Sequence, residues 1–417
     1  MGSNYKPIGD YIRLVDERNK GLQFTNLLGL SISKEFIPSV ANIIGTDMEN
    51  YKIIRKSQFA CSTMQVRRDK KMPVALYSKE VPSIISQAYP IFEITDIEEL
   101  LPEYLMMWFT RSEFDREACF HAVGGVRGSL EWEDFCGMKL PIPSIKKQRE
   151  IVSEYNVIQN RIVLNNQLIT KLEETAQAIY KQWFVDFEFP DENGKPYKSN
   201  GGEMVWCEEL EKEIPQGWEL KSVKDFSSEM KSGSTPRRDE NEYWNSKDYP
   251  WLKTGELKNS VVIDAEEYIS KKGLKESSAK LLPVNSVLIA MYGEGKTKGQ
   301  VGYLKIEAAT NQACCAIICE NEIEATFLYY HLRINRDEIV SIAIGGAQPN
   351  LSKNIIEELS LIEPTKVIIE KHPFVEIMKL KESYTFEIKS LMDLQNIVLA
   401  KMTKVETEKT LEKILGK

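Results

Sequence analysis

The sequence predicts an α+β fold in which two mixed α/β domains alternate with two long antiparallel coiled-coil helices, related by a pseudo-twofold internal repeat. Three observations predict it: a motif that recurs once, a heptad pattern after each copy of that motif, and short β-rich runs before each heptad pattern. The predicted order is a globular domain at residues 1–145, a long helix at 146–190, an acidic linker at 191–213, a second globular domain at 214–365 and a second long helix at 366–417.

The repeat is visible in two glycine-containing runs. Gly-Gly-Val-Arg-Gly-Ser-Leu begins at Gly124, and Gly-Gly-Ala-Gln-Pro-Asn-Leu begins at Gly345, 221 residues later. The same separation relates a Leu-x-x-Pro motif at Leu140 to another at Leu361. Because both copies lead into a long heptad segment, the sequence indicates one unit that occurs twice.

Each heptad segment places mainly apolar residues at alternating spacings of four and three. The first series runs from Ile151 to Trp183 and the second from Phe374 to Val405. This spacing is typical of a coiled-coil seam, and at 1.5 Å per residue each helix would be about 50 Å long. Each helix must bury its apolar stripe, and the counterpart in the repeat is the natural partner. The alternative is that each helix packs only against its own domain.

We expect the seam to serve as a helical spacer and to bind partner subunits. Three polar residues interrupt it, Asn165, Lys381 and Gln395, and polar seam residues can fix the register or face a third helix. The seam residues chosen for this role are Ile158, Ile162, Asn165, Ile169, Leu172, Ile179, Trp183, Tyr384, Ile388, Leu391, Val398 and Met402.

The regions before the heptads contain short β-rich runs separated by turn residues. The expected strands are Ala60 to Val66, Pro73 to Tyr77, Val287 to Met291, Gly299 to Ile306 and Ala313 to Cys319. Helical pieces are expected between them, from Ile97 to Phe109 and from Ala325 to Ile334. This mixture of short strands and helices predicts a mixed α/β domain in each half.

Composition limits the function only weakly. The 417 residues are 42% hydrophobic and 28% charged, without an apolar run of the roughly 20 residues that a membrane span needs and without a signal-peptide core. The seven cysteines form no paired framework, so we expect a cytoplasmic protein. The net charge of −8 does not indicate nucleic-acid binding, but local basic patches decide that question.

Several motifs, taken in order, resemble a known family. In the second half they are IPQGWE at 214–219, KSGSTP at 231–236, PWLKTGEL at 250–257, TNQA at 310–313 and GGAQPNLS at 345–352. This series resembles a target-recognition domain of type I restriction–modification specificity subunits, the HsdS family. The first half resembles another subtype through YKII at 51–54, MQVRR at 64–68 and PVALY at 73–77. It lacks the Gly-Ser-Thr-Pro turn and has Ile85-Ser86 where Thr-Asn is expected.

The resemblance implies a DNA-binding subunit that reads an asymmetric bipartite site in double-stranded DNA. It implies that the long helices dock two modification subunits, which bind S-adenosylmethionine and methylate adenine. It further implies two restriction subunits that use ATP and Mg²⁺. On this reading the chain itself binds no cofactor, metal or membrane and has no catalytic residue.

Polar and basic residues on expected loops are the candidate DNA contacts, because Arg, Lys, Asn and Gln read bases while Lys, Ser and Thr hold phosphates. They are Gln65, Arg67, Arg68, Lys70, Arg127, Lys231, Ser232, Ser234, Thr235, Lys253, Thr254, Lys296, Thr297, Lys298, Gln348 and Asn350. The alternatives are ordinary turns for the glycine-containing loops and a solvated charged hairpin for 64–71.

Two other functions stay open at this point. Gly295-Lys296-Thr297 partly matches a phosphate-binding loop, which would make the chain a nucleotide-binding enzyme, although the residues that follow predict a strand rather than a helix. The chain could also be a coiled-coil scaffold without a DNA role. The three histidines, His121, His331 and His372, lack metal-ligand spacing, and we find no Gly-x-Ser-x-Gly or Asn-Pro-Pro-Tyr motif.

Overall fold

The structure, a computed structural model, divides the chain into two compact units. Unit 1 comprises residues 1–162 and 391–417, and unit 2 comprises residues 163–390. The structure describes residues 5–40, 45–124, 128–293, 295–342 and 350–414, with side chains up to Thr403. Both divisions fall within a long helix, so each unit contains part of both long helices.

Unit 1 contains short strands, short helices and the ends of the long helices. Its elements are β1 (Tyr5–Pro7), β2 (Ile12–Val15), β3 (Leu27–Leu30), β4 (Phe36–Pro38), β5 (Lys52–Ile54), β6 (Gln58–Cys61), α1 (Val66–Asp69), β7 (Val74–Leu76), β8 (Ser83–Ile85), β9 (Ile91–Ile94), α2 (Pro102–Thr110), α3 (Ser112–His121), α4 (Trp132–Gly137), β10 (Lys139–Pro141) and the start of α5 (Ile145–Tyr180).

Two four-stranded sheets form the body of unit 1. One has the antiparallel order β2-β9-β6-β7, and the other has the order β4-β3-β8-β5 with β3 and β8 parallel. Strand β6 is buried along its whole length, as expected for a central strand covered on both faces. Phe59 of β6 stacks on Phe92 of β9 with ring centroids 4.9 Å apart, and Phe109 of α2 packs edge-on against both rings. These three rings form an aromatic cluster within the otherwise mainly aliphatic core of unit 1.

Unit 2 contains the remaining strands and most of the second heptad segment. Its elements are β11 (Met204–Cys207), β12 (Lys212–Pro215), β13 (Glu219–Ser222), α6 (Val223–Phe226), β14 (Glu229–Ser232), β15 (Tyr249–Leu252), β16 (Ser260–Val262), β17 (Glu267–Ile269), α7 (Lys271–Glu276), β18 (Val287–Ala290), β19 (Val301–Leu304), β20 (Ala309–Thr310), β21 (Cys314–Ile318), α8 (Glu322–Ile334), α9 (Arg336–Ile342), α10 (Lys353–Glu357), β22 (Ser360–Glu363), α11 (Lys366–Ile369) and most of the N-terminal half of α12 (Phe374–Ile414).

A five-stranded sheet with the order β14-β21-β18-β19-β16 forms the centre of unit 2. Unit 2 also contains a three-stranded sheet with the order β17-β15-β20 and two strand pairs, β11-β12 and β13-β22. Strand β18 is fully buried, and α8 is buried over most of its circumference. A helix that is apolar nearly all round belongs to a core, so α8 joins the sheet to the long helices of this unit.

Most expected strands form where the sequence predicts them. Strands β7, β18, β19 and β21 lie within the expected β-rich runs. The expectation for Ala60 to Val66 is wrong after Cys61, because Gln65 has a left-handed φ of 65° and Val66 begins the one-turn helix α1. The helix expected from Ile97 begins only at Pro102, a residue that favours the first helical position.

The two long helices run antiparallel within each unit. In unit 1, Lys401 pairs with Glu154 at 2.7 Å and the amide of Gln395 donates to Gln159 at 2.7 Å. Of these residues, the one nearer the C-terminus of α12 thus contacts the one nearer the N-terminus of α5, which is the antiparallel arrangement. Unit 2 follows the same order, because Lys381 pairs with Glu173 at 2.5 Å and the rings of Phe374 and Tyr180 lie 6.3 Å apart. A regular coiled-coil seam and a pseudo-twofold repeat stay predictions.

The flanks of the helices differ from the simplest expectation. Residues 191–213, expected as an acidic linker, contain β11 and the beginning of β12. Residues 181–185 form a π-helical turn after α5. The second long helix begins at Phe374, directly after Pro373, and the short helix α11 precedes it. A proline cannot continue a helix from its interior, so the start at this point follows from the sequence.

Candidate nucleic-acid interface

A glycine-containing loop of unit 2 is held directly against the backbone of the strand β20 and the residues after it. This recognition loop comprises residues 233–238, immediately after β14. The amide of Gly233 donates to the carbonyl of Cys314 at 3.2 Å. A Cβ atom at position 233 would lie 2.5 Å from the carbonyl oxygen of Thr310 and closer still to that of Asn311. Only glycine allows the two backbones to approach so closely.

Side chains and amides on both sides fix the rest of the loop. The amide of Ser234 donates to the carbonyl of Thr310 at 2.8 Å. The hydroxyl of Thr235 donates to the side-chain oxygen of Gln312. The indole N–H of the buried Trp251 donates to the carbonyl of Ser234 at 3.0 Å. The recognition loop is therefore held by hydrogen bonds to β15, β20 and residues 312–314, and the motifs at 231–236, 250–257 and 310–313 meet at one place.

The candidate lysines near the loop are paired with carboxylates. Lys231 binds Glu229 at 2.7 Å, and Lys253 binds Glu267. The hydrogen bond to Glu267 raises the pKa of Lys253, so this ammonium group stays charged. Exposed pairs of this kind contribute little stability, and a phosphate can therefore compete for the lysines. Ser232 is exposed and Thr254 is half-buried.

Arg238, at the end of the recognition loop, is a further candidate contact that was not among the residues predicted from the sequence. Its guanidinium carbon lies 3.7 Å from the ring centroid of Trp244 and 4.6 Å from that of Trp251. The guanidinium also pairs with Glu267. The indole N–H of Trp244 donates to the carbonyl of Arg237 at 3.0 Å. The only signal in the sequence was the Arg237-Arg238 pair, which gives no hint of the two tryptophans.

The loop at 295–298 is anchored by an arginine of α9. Arg336 donates to the carbonyl of Lys296 at 3.0 Å and to that of Lys298 at 2.6 Å. The ammonium-bearing chain of Lys296 is exposed, and Thr297 is half-buried. The chain then continues into strand β19, whereas a phosphate-binding loop opens a helix. The arrangement therefore favours a basic surface loop over a nucleotide site.

The other candidates of unit 2 lie near the end of β18 or outside the described residues. Asn350 is exposed, and the amide of the next residue, Leu351, donates to the carbonyl of Met291 at 3.1 Å. Gln348 of unit 2 and Arg127 of unit 1, which we also predicted as contacts, lie outside the described residues.

The candidate contacts of unit 1 that the structure describes are on or beside the one-turn helix α1. They are Gln65, which is half-buried, and the exposed Arg67, Arg68 and Lys70. Arg67 donates to the carbonyl of Gly124 at 3.2 Å, which joins α1 to the end of α3. Arg68 forms two hydrogen bonds with the neighbouring Asp69, at 2.6 and 3.0 Å. Unit 1 thus presents cations on a short helix, whereas unit 2 presents them around a loop.

The chosen seam residues face the interior of their units. Ile158, Ile162, Asn165, Val398 and Met402 are buried. Ile169, Leu172, Ile179, Trp183, Tyr384, Ile388 and Leu391 are half-buried. The exposed side chains of the long helices are therefore more accessible to a partner subunit than these seam residues are. The exposed apolar side chains on the long helices are Val157, Met392, Leu394 and Ile397 in unit 1 and Val163, Leu164, Leu380 and Phe386 in unit 2.

The buried histidines and cysteines have structural surroundings. Burial lowers the pKa of His331 and of His372 to about 4. The Nδ1 atom of His331 lies 2.8 Å from the hydroxyl of Tyr180. Burial raises the pKa of Cys315 and Cys319 to about 12, which disfavours the nucleophilic thiolate. Within the described residues no group of three or more His, Cys, Asp and Glu side chains could hold a metal ion.

The sequence of this chain is similar to a family model and to several known proteins, and these matches agree with one another. The model of the "Type I restriction modification DNA specificity domain" matches residues 215–391, which include the recognition loop, Lys253 and Lys296. The specificity subunit of the type I restriction enzyme MjaIX from Methanocaldococcus jannaschii is 28% identical over 66% of this chain and 62% of that protein. The specificity subunit of the type I restriction enzyme HindI from Haemophilus influenzae is 24% identical over 76% of this chain and 80% of that protein.

Residues 215–391 thus match the specificity domain of type I restriction–modification systems, and both relatives are specificity subunits of type I restriction enzymes. The predicted resemblance to type I restriction–modification specificity subunits is thereby confirmed. A crystal structure of the type I restriction–modification S subunit from M. genitalium has the same fold, with a TM-score of 0.55, 15% identity and 95% coverage of both chains. The mixed α/β fold with long helices is thus shared with a specificity subunit. No helix in the described ranges is both long and apolar enough to cross a membrane.

Proposed function

We propose that this chain is a type I restriction–modification specificity subunit and reads an asymmetric bipartite site in double-stranded DNA, with unit 1 and unit 2 each binding one half-site. The observation that carries the proposal is the recognition loop of unit 2. It lies within the matched specificity domain, its backbone is fixed by Gly233 and Trp251, and Lys231 and Lys253 lie beside it. Fixed small residues next to cations suit phosphate contact, and exposed polar side chains suit base contact.

The two half-sites would differ because the two units present different chemistry. Unit 1 carries Arg67 and Arg68 on the short helix α1, and unit 2 carries Lys253 and Arg238 around a loop. Each unit would therefore select its own base sequence. The net charge of −8 does not oppose this, since binding depends on the local charge at the contact surface.

The long helices would form an antiparallel coiled-coil spacer that relates the two recognition units by a pseudo-twofold axis. The buried seam residues and the pairs Lys381–Glu173 and Lys401–Glu154 support this proposal. A helical spacer has a fixed length per residue, so it would set the distance between the half-sites. A polar seam residue such as Asn165 would fix the register.

Partner subunits would supply the chemistry. Two modification subunits would dock on the long helices, bind S-adenosylmethionine and methylate adenine, and two restriction subunits would act with ATP and Mg²⁺, all in the cytoplasm. The exposed Val157, Met392 and Ile397 on the helices support a docking role, because a partner subunit can bury apolar side chains that lie on the surface of this chain.

The first experiment locates the methylated sites. The chain is expressed with its modification subunit in a host that lacks other adenine methylation, and methylated adenines are mapped across the genome. We expect one asymmetric bipartite motif. Arg67→Ala and Lys253→Ala should each weaken binding of the assembled complex to that motif, whereas Lys171→Ala, which removes an exposed helix charge, should not. Absence of a bipartite motif, or equal binding by all variants, would contradict the proposal.

A second experiment tests the spacer. Four residues inserted into α5 after Gln167 add about 6 Å of helix, which corresponds to about two base pairs. The mapped motif should then tolerate a longer gap between its half-sites. The control is the same insertion after Glu192, in a turn outside the long helices. An unchanged gap in an assembled, active complex would show that the helix does not set the spacing.

A further inference from the structure

The Arg238 side chain occupies an aromatic corner in unit 2. The rings of Trp244 and Trp251 meet edge to face, with centroids 5.0 Å apart and planes at 88°. The guanidinium of Arg238 lies over the Trp244 ring at 3.7 Å and near the Trp251 ring at 4.6 Å. A planar cation over an aromatic face is attracted by the ring quadrupole, so the corner fixes the plane in which the guanidinium lies.

An ion pair fixes the remaining rotation of the guanidinium. Its Nη1 atom donates to Glu267. Its Nε and Nη2 atoms have no hydrogen bond to another residue in the part of the chain that the structure describes, and about half of the side chain is exposed. The Nε–Nη2 edge is therefore the edge that a ligand can reach. Two parallel N–H donors on one edge match the O6 and N7 acceptors of guanine in the major groove.

The corner is joined to the recognition loop that carries Arg238. The indole N–H of Trp244 donates to the carbonyl of Arg237, and that of Trp251 donates to the carbonyl of Ser234, both at 3.0 Å. The same two rings thus hold the loop backbone and the guanidinium. Most of the conformational entropy of the arginine is lost before DNA binds, which lowers the cost of forming a specific contact.

The neighbouring arginine shows that this arrangement is particular to one residue. Arg237 pairs with Asp239 at 2.7 Å, and 73% of its side chain is exposed. In the described part of the chain its guanidinium has no aromatic ring beneath it comparable to that of Arg238. Such a solvated side chain suits loose contact with phosphate, whereas base readout needs a fixed direction.

We propose that Arg238 reads a guanine in the half-site bound by unit 2, with Trp244 and Glu267 as positioning residues. The proposal rests on the proposed function, because it takes unit 2 to bind duplex DNA. Lys253, which shares Glu267 with Arg238, contacts the adjoining phosphate backbone. The ligand is the major-groove edge of a G·C pair.

The test uses the assembled complex of this chain with its modification subunit and a set of duplexes that vary each base of the half-site. Arg238→Ala should abolish the preference for guanine at one position, a loss of about 5- to 150-fold in affinity for the cognate duplex. Arg238→Lys keeps the charge but lacks the two-donor edge, so it should keep non-specific affinity and lose the preference. Arg237→Ala is the matched control and should keep the preference.

A modified base gives an independent readout. Replacement of the guanine by 7-deazaguanine removes the N7 acceptor and should weaken binding of the wild-type complex but not that of the Arg238→Lys complex. Trp244→Ala should produce an intermediate loss, since the arginine stays but its plane is no longer fixed. Equal behaviour of Arg238→Lys and wild type, or a uniform loss on all sequences, would overturn the assignment. A wild-type complex without any sequence preference would instead overturn the proposed function.

Discussion

Replacement of Gly233 by alanine is the sharpest test of the recognition loop. A Cβ atom at this position would lie 2.5 Å from the carbonyl oxygen of Thr310 and closer still to that of Asn311. Both obstacles are backbone atoms, so a rotamer change cannot relieve the clash. The loop must move away by about 1 Å to reach an ordinary carbon–oxygen separation.

The cost follows from the hydrogen bonds that hold the loop. Movement of this size breaks the bonds from Gly233 to Cys314 (3.2 Å) and from Ser234 to Thr310 (2.8 Å), together with the Thr235–Gln312 bond. At about 0.5–1.5 kcal/mol net for each bond, the free energy of unfolding falls by about 2–4 kcal/mol. For a unit of this size that is a fall of about 4–16 °C in melting temperature.

The assay compares Gly233→Ala with Gly255→Ala in thermal unfolding and in DNA binding by the assembled complex. Gly255 has no atom within 4 Å of an added Cβ, so its substitution should leave both properties nearly unchanged. Gly233→Ala should lower the melting temperature and, below it, weaken specific DNA binding, because the loop is displaced. If Gly233→Ala and Gly255→Ala behave alike in both measurements, the reasoning about the loop is refuted.

Three further predictions concern stability. Burial holds the folded-state pKa of His331 and of His372 at about 4, below the unfolded value near 6.5, so proton binding by the unfolded chain lowers the free energy of unfolding as the pH falls from about 6.5 toward 4. In urea unfolding the loss for each histidine should approach about 1.4 kcal/mol per pH unit near pH 5, and His331→Gln should reduce that slope. Lys381→Met leaves the buried Glu173 with one cationic partner fewer and should lower the free energy of unfolding by about 3 kcal/mol. Glu173→Gln added to this variant should lower it by less than a further ~3 kcal/mol. Additive losses in denaturant titrations would contradict the pairing. Asn165→Leu should raise the melting temperature, because neither amide atom of the buried side chain has a hydrogen-bond partner among the described residues; a lower melting temperature would show that Asn165 is satisfied.

The sequence predicted the parts of the fold that depend on local pattern. The fully buried run Val287–Ala290 and the periodic segments that became α5 and α12 are continuous in the chain, so their hydrophobic pattern alone indicates them. The one-turn helix α1 was missed because it depends on the left-handed conformations of Gln65 and Lys70, which favour no particular pattern in a basic run.

The site was predictable only in its anchors. Gly233 and Lys253 lie in motifs that resemble the family, so the sequence alone predicts that this region contacts DNA. Arg238 acquires its direction from Trp244, six residues later, and from Glu267, twenty-nine residues later, and no spacing rule connects these three. Contacts between residues that are distant in the sequence depend on tertiary structure. The hydrophobic periodicity of the sequence does not contain this information.

A negatively charged chain can bind DNA if its acidic residues do not occupy the contact surface or are engaged there. Around the recognition loop they are engaged: Glu267 holds Arg238 and Lys253, and Glu229 holds Lys231. Without DNA these pairs keep the cations from repelling one another and fix their positions. A phosphate that binds Lys253 would break the pair between Lys253 and Glu267. The carboxylate of Glu267 would then pair only with Arg238. We therefore expect Glu267→Gln to increase non-specific affinity for DNA and to reduce sequence preference, because the lysine is released while the arginine loses its fixed direction. An equal change in specific and non-specific affinity would show that Glu267 acts only through its charge.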